Sequence, residues 1–198
     1  MTRSSLFPDR MKPGAACLFL VILLGCFLVQ PLSGAGAEES LERLGLDLTN
    51  QDPAVRASAA KKLGLLGPGS APAISALVQA LGDKVRLVHL EAGLALSRIG
   101  PAAVSDLMKA LADENKGIRS GAALALGKIE PPPLEAVPGL INLLTDEDPE
   151  VVKNAAYSLR RIGPPAAPEL KKAAASGNPG LAKAASNILK KLEAGGRF

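Results

Sequence analysis

Residues 52–68 read Asp-Pro-Ala-Val-Arg-Ala-Ser-Ala-Ala-Lys-Lys-Leu-Gly-Leu-Leu-Gly-Pro, and the recurrence of this stretch decides the fold. Residues 115–131 and 148–164 carry the same order of features: Asp or Asn first, then an Ala-Ala pair, a Leu and a final Pro. Two weaker copies occupy residues 85–101 and 178–192. The chain is therefore built from an internal repeat.

The repeat has a nearly fixed period. Its copies, called units 1 to 5, begin at 52, 85, 115, 148 and 178, so successive spacings are 33, 30, 33 and 30 residues. A period in this range predicts a stacked array of small helical units. Because the spacing alternates, a block of two units is itself a candidate duplication.

Each unit is predicted to be a hairpin of two helices, A and B. In unit 1, Asp52 suits the cap of helix A and Pro53 suits its first turn. The apolar positions Val55, Ala59, Leu63 and Leu66 lie on one helical face, and Gly-Pro ends the helix.

Helix B carries a fuller apolar stripe in units 1 to 3. The stripe comprises Ile74, Leu77, Val78 and Leu81, then Val104, Leu107, Met108 and Leu111, then Val137, Leu140, Ile141 and Leu144. Leu41, Leu44 and Leu48 predict one more B-like helix before unit 1, and the last helix, 179–192, has no B partner. The predicted fold is an all-α solenoid of about ten short helices.

Small residues recur in helix A. Ala occupies one equivalent position in all five units, as Ala59, Ala92, Ala122, Ala155 and Ala185. Gly64 and Gly127 also match each other, although Gly weakens a helix by about 1 kcal/mol. We expect these residues to let neighbouring helices approach closely.

The pattern resembles the short bacterial HEAT repeat, also called phycobilisome-lyase HEAT-like. The resemblance is carried by Val-Arg, Ala-Ala, Leu-Gly and Ile-Gly-Pro in successive units and covers about residues 40–192. It implies an armadillo-type solenoid that binds other proteins, with Arg56, Arg119 and, by substitution, His89 in a polar ladder beneath the loops. HEAT-type hydroxylases bind iron through His-Glu dipeptides, but the single histidine of this chain is followed by Leu90.

The first 37 residues predict a secretory signal peptide. Arg3, Arg10 and Lys12 precede an apolar run over 15–29, and Ala35-Gly36-Ala37 fits a cleavage site. The run is shorter than the roughly 20 residues that span a bilayer. We expect residues 1–37 to be removed and residues 38–198 to form the repeat domain, exported to the periplasm or the extracellular space.

Three alternatives stay open at this end of the chain. Leu23-Leu24-Gly25-Cys26 resembles a lipoprotein lipobox, so Cys26 could instead be lipidated and tether the protein to a membrane. The signal could be retained as an uncleaved anchor. Met11 could be the true start. Membrane contact is expected only if the signal is retained or Cys26 carries lipid.

Composition excludes several function classes. Both cysteines, Cys17 and Cys26, lie in the signal, which leaves no thiol for a disulfide, a metal or a nucleophile. After cleavage, 20 Lys and Arg face 18 Asp and Glu, a net charge of +2, without the clustered basic footprint of a nucleic-acid binder. We therefore expect no cofactor, no metal and no nucleic-acid partner.

Two surfaces are candidate binding sites. The concave face, opposite the apolar stripe of helix B, comprises Ser75, Gln79, Ser105, Asp106, Lys109, Glu135, Asn142, Glu169 and Lys172. The basic edge, near the ends of the A helices, comprises Lys61, Lys62, Arg98, Lys128, Arg160, Arg161, Lys190 and Lys191. Bases there complement the helix macrodipole and could also steer an anionic partner.

We find no catalytic constellation and expect a non-catalytic, exported module for protein–protein interaction or scaffolding. One alternative is a lyase- or hydroxylase-like HEAT enzyme, which the absence of His-Glu pairs disfavours. Another is a stabilising domain that works only inside a larger oligomer. Oligomeric state and partner identity do not follow from the residues.

Overall fold

The computed structural model describes residues 41–194. The predicted signal peptide, its cleavage site and the Cys26 lipobox lie outside the described residues. Ten α-helices and no strand are present over 41–194, which confirms the predicted all-α array of about ten short helices.

The described helices, numbered here in chain order, alternate between A and B. Helix α1, residues 41–47, is the B-like helix that precedes unit 1. The A helices are α2 (Pro53–Leu66), α4 (Arg86–Ile99), α6 (Lys116–Leu126), α8 (Pro149–Ile162) and α10 (Pro179–Glu193). The B helices are α3 (Ile74–Ala80), α5 (Val104–Ala110), α7 (Val137–Asn142) and α9 (Ala167–Ala174). Short 3-10 turns connect A to B at Gly67–Ala73, Gly100–Ala103, Leu134–Ala136 and Pro164–Ala166.

Side-chain caps start four of the five A helices, as predicted. Asp52, Asn115, Asp148 and Asn178 each accept a hydrogen bond from a backbone N–H in the first turn. Helix α4 differs, because its N-cap is Val85. There Asp83, two residues earlier, accepts from the backbone N–H of Val85.

Three A helices end where the backbone turns left-handed. Gly67, Gly100 and Gly163 have φ of 57°, 79° and 78°, a region that side chains rarely adopt, and each is followed by Pro. The Gly-Pro stop predicted from sequence is therefore the residue pair that reverses the chain into helix B.

One hydrophobic core runs through the described units. The recurring Ala position is buried in all five, and helix B buries its predicted apolar stripe with one exception. The exception is Met108, which is 37% exposed. Val104, Leu107 and Leu111 are buried. So are Val78 and Ile141, the residues equivalent to Met108 in units 1 and 3, so its position on the helix does not explain the exposure of Met108.

Helix A of unit 1 departs from its predicted apolar face. Val55 is only half-buried and Leu66 is 49% exposed, whereas Ala57, Ala60 and Leu63 are buried. The position of Leu66 is equivalent to that of the buried residues Ile99 and Ile162 in later units. Among the described residues no A helix precedes α2, so this end of the array lacks the neighbour that covers the position elsewhere.

Gly64 and Gly127 allow the A helices to approach closely at two junctions, α2–α4 and α6–α8. A Cβ at Gly64 would lie 2.9 Å from Cα of Ala95, and one at Gly127 would lie 2.7 Å from Cα of Ser158. The expectation that these two glycines serve close packing is confirmed. Units 2 and 4 have Ser97 and Arg160 at the equivalent position. The A helices pack most extensively as the pairs α2–α4 and α6–α8.

One described segment, Pro53–Ala80, has the length and hydropathy of a membrane span, with a mean hydropathy of 1.2. It is not one continuous α-helix, because the 3-10 turn Gly67–Ala73 divides it into α2 and α3. It also contains Arg56, whose guanidinium is held by hydrogen bonds. The segment is the first hairpin of the array.

Candidate functional site

A bidentate clamp joins helix α6 to the loop before α8. Nε and Nη2 of Arg119 donate to the two carboxylate oxygens of Asp146 at 2.8 and 3.0 Å. Nη1 donates to the carbonyl oxygens of Asp113 and Glu114, in the loop before α6 itself. The Arg119 and Asp146 side chains are 10% and 8% exposed. One guanidinium thereby fixes two successive loops.

The same clamp occurs between α2 and the loop before α4. Arg56 donates to Asp83 at 2.6 and 3.1 Å, and also to the carbonyls of Asn50 and Gln51. In both clamps the Asp follows the Arg by 27 residues. The family resemblance predicts both arginines in a polar ladder, but their partners Asp83 and Asp146 were not predicted. The available signal was that offset, repeated in units 1 and 3.

The clamps favour the ionised form of their aspartate carboxylates. The hydrogen bonds from Arg119 lower the pKa of Asp146, and those from Arg56 lower the pKa of Asp83. Lys116, 2.8 Å from Asp148, lowers the pKa of that carboxyl in the same way. A carboxylate held ionised by a permanent cation is suited to structure rather than to proton transfer near neutral pH.

Further polar contacts tie unit 3 to unit 4. Nδ2 of Asn154 donates to Oγ of Ser120 at 2.8 Å, and the buried Ser158 hydroxyl donates to the carbonyl of Ala123 at 2.7 Å. Arg161 reaches Glu130 at 3.5 Å. Units 3 and 4 are therefore linked along the full length of α6 and α8.

The junction between units 2 and 3 has no Arg–Asp clamp among the described residues. His89 occupies the clamp position, and its Nδ1 lies 2.6 Å from the carbonyl oxygen of Leu81, to which it donates in the Nδ1-protonated tautomer. Asp113, equivalent to Asp83 and Asp146, accepts only from the backbone N–H of Asn115 among the described contacts. No described side-chain bond joins α4 or α5 to α6 or α7.

Two depressions flank His89. A polar cleft of about 290 Å³ is lined by Asp83, Arg86, His89, Asn115, Lys116, Gly117, Ser120, Asp148 and Glu150. An apolar groove of about 120 Å³ is lined by His89, Leu90, Gly93, Leu94, Gly121, Leu124, Ala125 and Lys128. The groove is below the roughly 300–1,000 Å³ of small-molecule sites. Within 41–194 no three His, Cys, Asp or Glu side chains come together as metal ligands.

The nine predicted concave-face residues are all exposed or half-buried. Described ion pairs link two of them on α5, Asp106 and Lys109 at 3.0 Å, and two on α9, Glu169 and Lys172 at 2.6 Å. These pairs lie within single helices, and no described bond joins the nine across units. The residues form a row of separate polar positions, one group for each B segment.

The predicted basic-edge residues lie on or just beyond the A helices. Lys128 and Arg160 are half-buried, and the other six are exposed. Arg98, Arg160, Arg161, Lys190 and Lys191 lie in the last turn of α4, α8 and α10. Lys128 follows the end of α6 by two residues, and Lys61 and Lys62 lie within α2. The structure thus places bases at or just beyond the C-terminal end of α4, α6, α8 and α10, whereas the last turn of α2 contains none.

One of three similar solved structures has a TM-score above 0.5 and agrees with this architecture. A structure of Crescerin, described as using a TOG domain array to regulate microtubules in the primary cilium, is 21% identical, with a TM-score of 0.61 over 89% of this chain and 84% of that one. An engineered protein is 30% identical over 79% of this chain and 80% of its own, with a TM-score of 0.41. The CpcE–CpcF complex of phycocyanin lyase from Nostoc sp. PCC7120 is 24% identical over 77% of this chain and 64% of that chain, with a TM-score of 0.48.

None of the curated protein sequences compared with this chain matches it. A family profile described as HEAT repeats matches residues 41–114 and 104–189. These two matches cover well over half of the sequence and coincide with the units and clamps described above. The HEAT-repeat fold is typical of protein-interaction scaffolds, and this chain belongs to the HEAT-repeat family.

Proposed function

We propose that the chain is a non-catalytic, exported module that binds another protein through its helix B surface and acts as an interaction platform or scaffold. The observation that carries this proposal is that buried and exposed polar residues differ in what they contact. Most buried polar groups, Arg119 and Ser158 among them, bond to backbone or side chains within the array. The exposed ones recur on successive B helices. Solenoids present such extended faces to their partners.

The absence of enzymatic activity is part of the proposal. The single histidine of the chain is engaged with the Leu81 carbonyl, and Asp83, Asp146 and Asp148 are held ionised by neighbouring cations. These arrangements support a structural role for the groups best suited to chemistry. Metal analysis of the purified chain tests it, and stoichiometric iron would contradict it.

Export rests on the pattern of residues 1–37. We expect protein recovered from the cell envelope to begin at Glu38, as N-terminal sequencing and intact mass would show. A mass that includes lipid on Cys26 would replace the soluble exported form with a tethered one. Intact, unprocessed protein in the cytoplasm would contradict export altogether.

Site-specific photo-crosslinking tests the binding face. A photoreactive residue at Gln79, Lys109 or Asn142 of the exposed helix B face should capture one and the same protein from the envelope. Matched positions on A helices, Lys153 of α8 and Lys183 of α10, are equally exposed and should not capture it. Equal capture at all five positions, or at the A-helix positions alone, would contradict binding through helix B.

A further inference from the structure

The basic edge contains a row with one base for each unit. Arg98, Lys128, Arg161 and Lys191 stand at the same position of units 2 to 5, and unit 1 has Leu65 there. The four bases are 30, 33 and 30 residues apart and so follow the spacing of the units. We call these four residues the basic row.

The basic row forms few ion pairs with acidic side chains of the chain itself. Arg98, Lys128 and Lys191 form no described ion pair, and Arg161 reaches only Glu130, at 3.5 Å, whose side chain is 80% exposed. At the opposite end of the A helices the carboxylates are paired, Asp83 with Arg56 and Asp146 with Arg119. The acids at one end are therefore held in ion pairs, whereas at the other end three bases of the row are exposed and Lys128 is half-buried.

The helix macrodipole explains why bases are favoured at these ends, since the C-terminal carbonyls carry partial negative charge. That interaction leaves the ammonium and guanidinium groups in water, where they can accept a partner's carboxylates. Exposed charges of one sign in a row also raise the encounter rate with a chain of opposite sign.

Spacing indicates the form of the partner. Helices packed side by side lie roughly 8–10 Å apart, and an extended chain advances about 3.3–3.6 Å per residue. A carboxylate at about every third residue would then meet each base in turn. Membrane-surface binding by contrast relies on exposed apolar side chains beside the bases. The residues that follow the bases in units 2 to 4, Ile99, Ile129 and Ile162, are buried. Exposed apolar side chains at this end belong to unit 1, where Leu65 and Leu66 are 70% and 49% exposed and the row has no base.

We propose that the basic row binds an extended acidic polypeptide segment with a carboxylate at about every third residue. This gives the scaffold proposed above a second binding surface and rests on that function in so far as the chain is a binding module. The surface differs from the helix B face, so each can fail without the other.

The test is fluorescence anisotropy of the purified chain with a labelled peptide of five Glu-Ser-Gly repeats. A second peptide of the same composition has its five Glu residues contiguous. We expect the spaced peptide to bind several-fold more tightly at low salt and to lose most of its affinity at about 0.3 M salt, where the Debye length is short.

Two matched charge reversals locate the binding. The row variant R98E/K128E/R161E/K191E should bind the spaced peptide at least about tenfold more weakly. The control K84E/K153E/K171E/K183E changes the net charge equally at four exposed lysines and should lose less than about threefold. Because reversal at helix ends could unfold the row variant, R98Q/K128Q/R161Q/K191Q is measured as well, with helical content checked by circular dichroism.

Four outcomes would overturn the proposal. They are no binding of the spaced peptide, equal affinity for the two peptides, equal weakening by both reversals, and binding to phosphatidylglycerol vesicles without binding to either peptide. The last would assign the row to a membrane surface. Crosslinking through Gln79 tests the helix B face independently. If it still captures a partner while the peptide does not bind, only the inference about the basic row is overturned.

Discussion

Gly127 directly follows α6, and a Cβ added there would clash with Ser158 of α8. A Cβ there would lie 2.5 Å from Cβ of Ser158 and 2.7 Å from its Cα, so the added methyl meets backbone that cannot move alone. We expect Gly127→Ala to lower the free energy of unfolding by about 1–3 kcal/mol, the usual effect of overpacking. Urea unfolding monitored by circular dichroism measures it.

Gly45 supplies the matched control for this substitution. It lies in helix α1, and no heavy atom outside its own turn lies within 4 Å of the position that a Cβ would take, so Gly45→Ala adds helix propensity without a clash. The expected gain is up to about 1 kcal/mol. If both substitutions stabilised the protein, close packing at Gly127 would not be what selects glycine there.

Asp146 makes stability depend on pH in a defined direction. Arg119 lowers the pKa of Asp146 in the folded state, so the unfolded chain takes up a proton at higher pH, near 3.9. The clamp contributes fully above about pH 5, and its contribution is lost as the pH falls through the lower folded pKa.

Asp146→Asn should therefore cost about 1–3 kcal/mol at pH 7 and progressively less towards pH 2. Urea unfolding of the wild type and the variant at pH 7, 4 and 2.5 gives the difference. Asp106→Asn is the control, because its pair with Lys109 is solvent-exposed and lies within one helix. A pH-independent difference for Asp146→Asn would show that the carboxylate charge is not what matters.

At the scale of the elements, the sequence predicted the helices well because their signals are local. The Asp52 cap, the Gly67 stop and the apolar stripe of α3 are each set by residues within one or two turns. The exposure of Leu66 was missed because it depends on whether a neighbouring helix exists. The partners Asp83 and Asp146 were missed because each contact joins a helix to a loop 27 residues further along the chain and leaves no local periodicity.

His89 occupies the position at which units 1 and 3 have the arginine of a clamp, and replacing it with arginine tests whether a clamp can form there. In His89→Arg the new side chain should reach Asp113, as Arg56 reaches Asp83, using the polar cleft of about 290 Å³ beside residue 89. Asp113 is half-buried, so we expect a gain of about 0.5–1 kcal/mol in the free energy of unfolding.

A double-mutant cycle shows whether the gain in the free energy of unfolding comes from an ion pair with Asp113. Adding Asp113→Asn should abolish the benefit of His89→Arg if the introduced guanidinium pairs with Asp113, and leave it intact if the longer side chain only packs better. A Cβ built at Gly121 would lie 3.1 Å from the His89 ring, so space beside residue 89 is limited. A loss of stability in His89→Arg itself would show that this space is too small for an Arg–Asp clamp.

At the scale of the whole repeat domain, polar contacts group the units in twos. Clamps bridge units 1–2 and 3–4, and Gly64 and Gly127 lie against backbone of the next A helix at the same two junctions. Among the described residues the junction between units 2 and 3 has no clamp, and Gly121 there lies close to the side chains of Leu81 and His89. This agrees with the alternating spacing of 33 and 30 residues. In a linear array each unit is stabilised mainly by its neighbours, so uneven junctions make stability uneven along the chain.

Native-state hydrogen exchange in low denaturant should resolve this unevenness. We expect amides of α2 to α5 to open together in one cooperative step and those of α6 to α9 in another, with different free energies, because the polar ties lie within these two groups. His89→Arg should bring the two free energies closer, since it would add a tie across the junction. A single global opening, or a first separation between α2 and α4, would contradict the pairing, because the clamped junction would then be no stronger than the unclamped one.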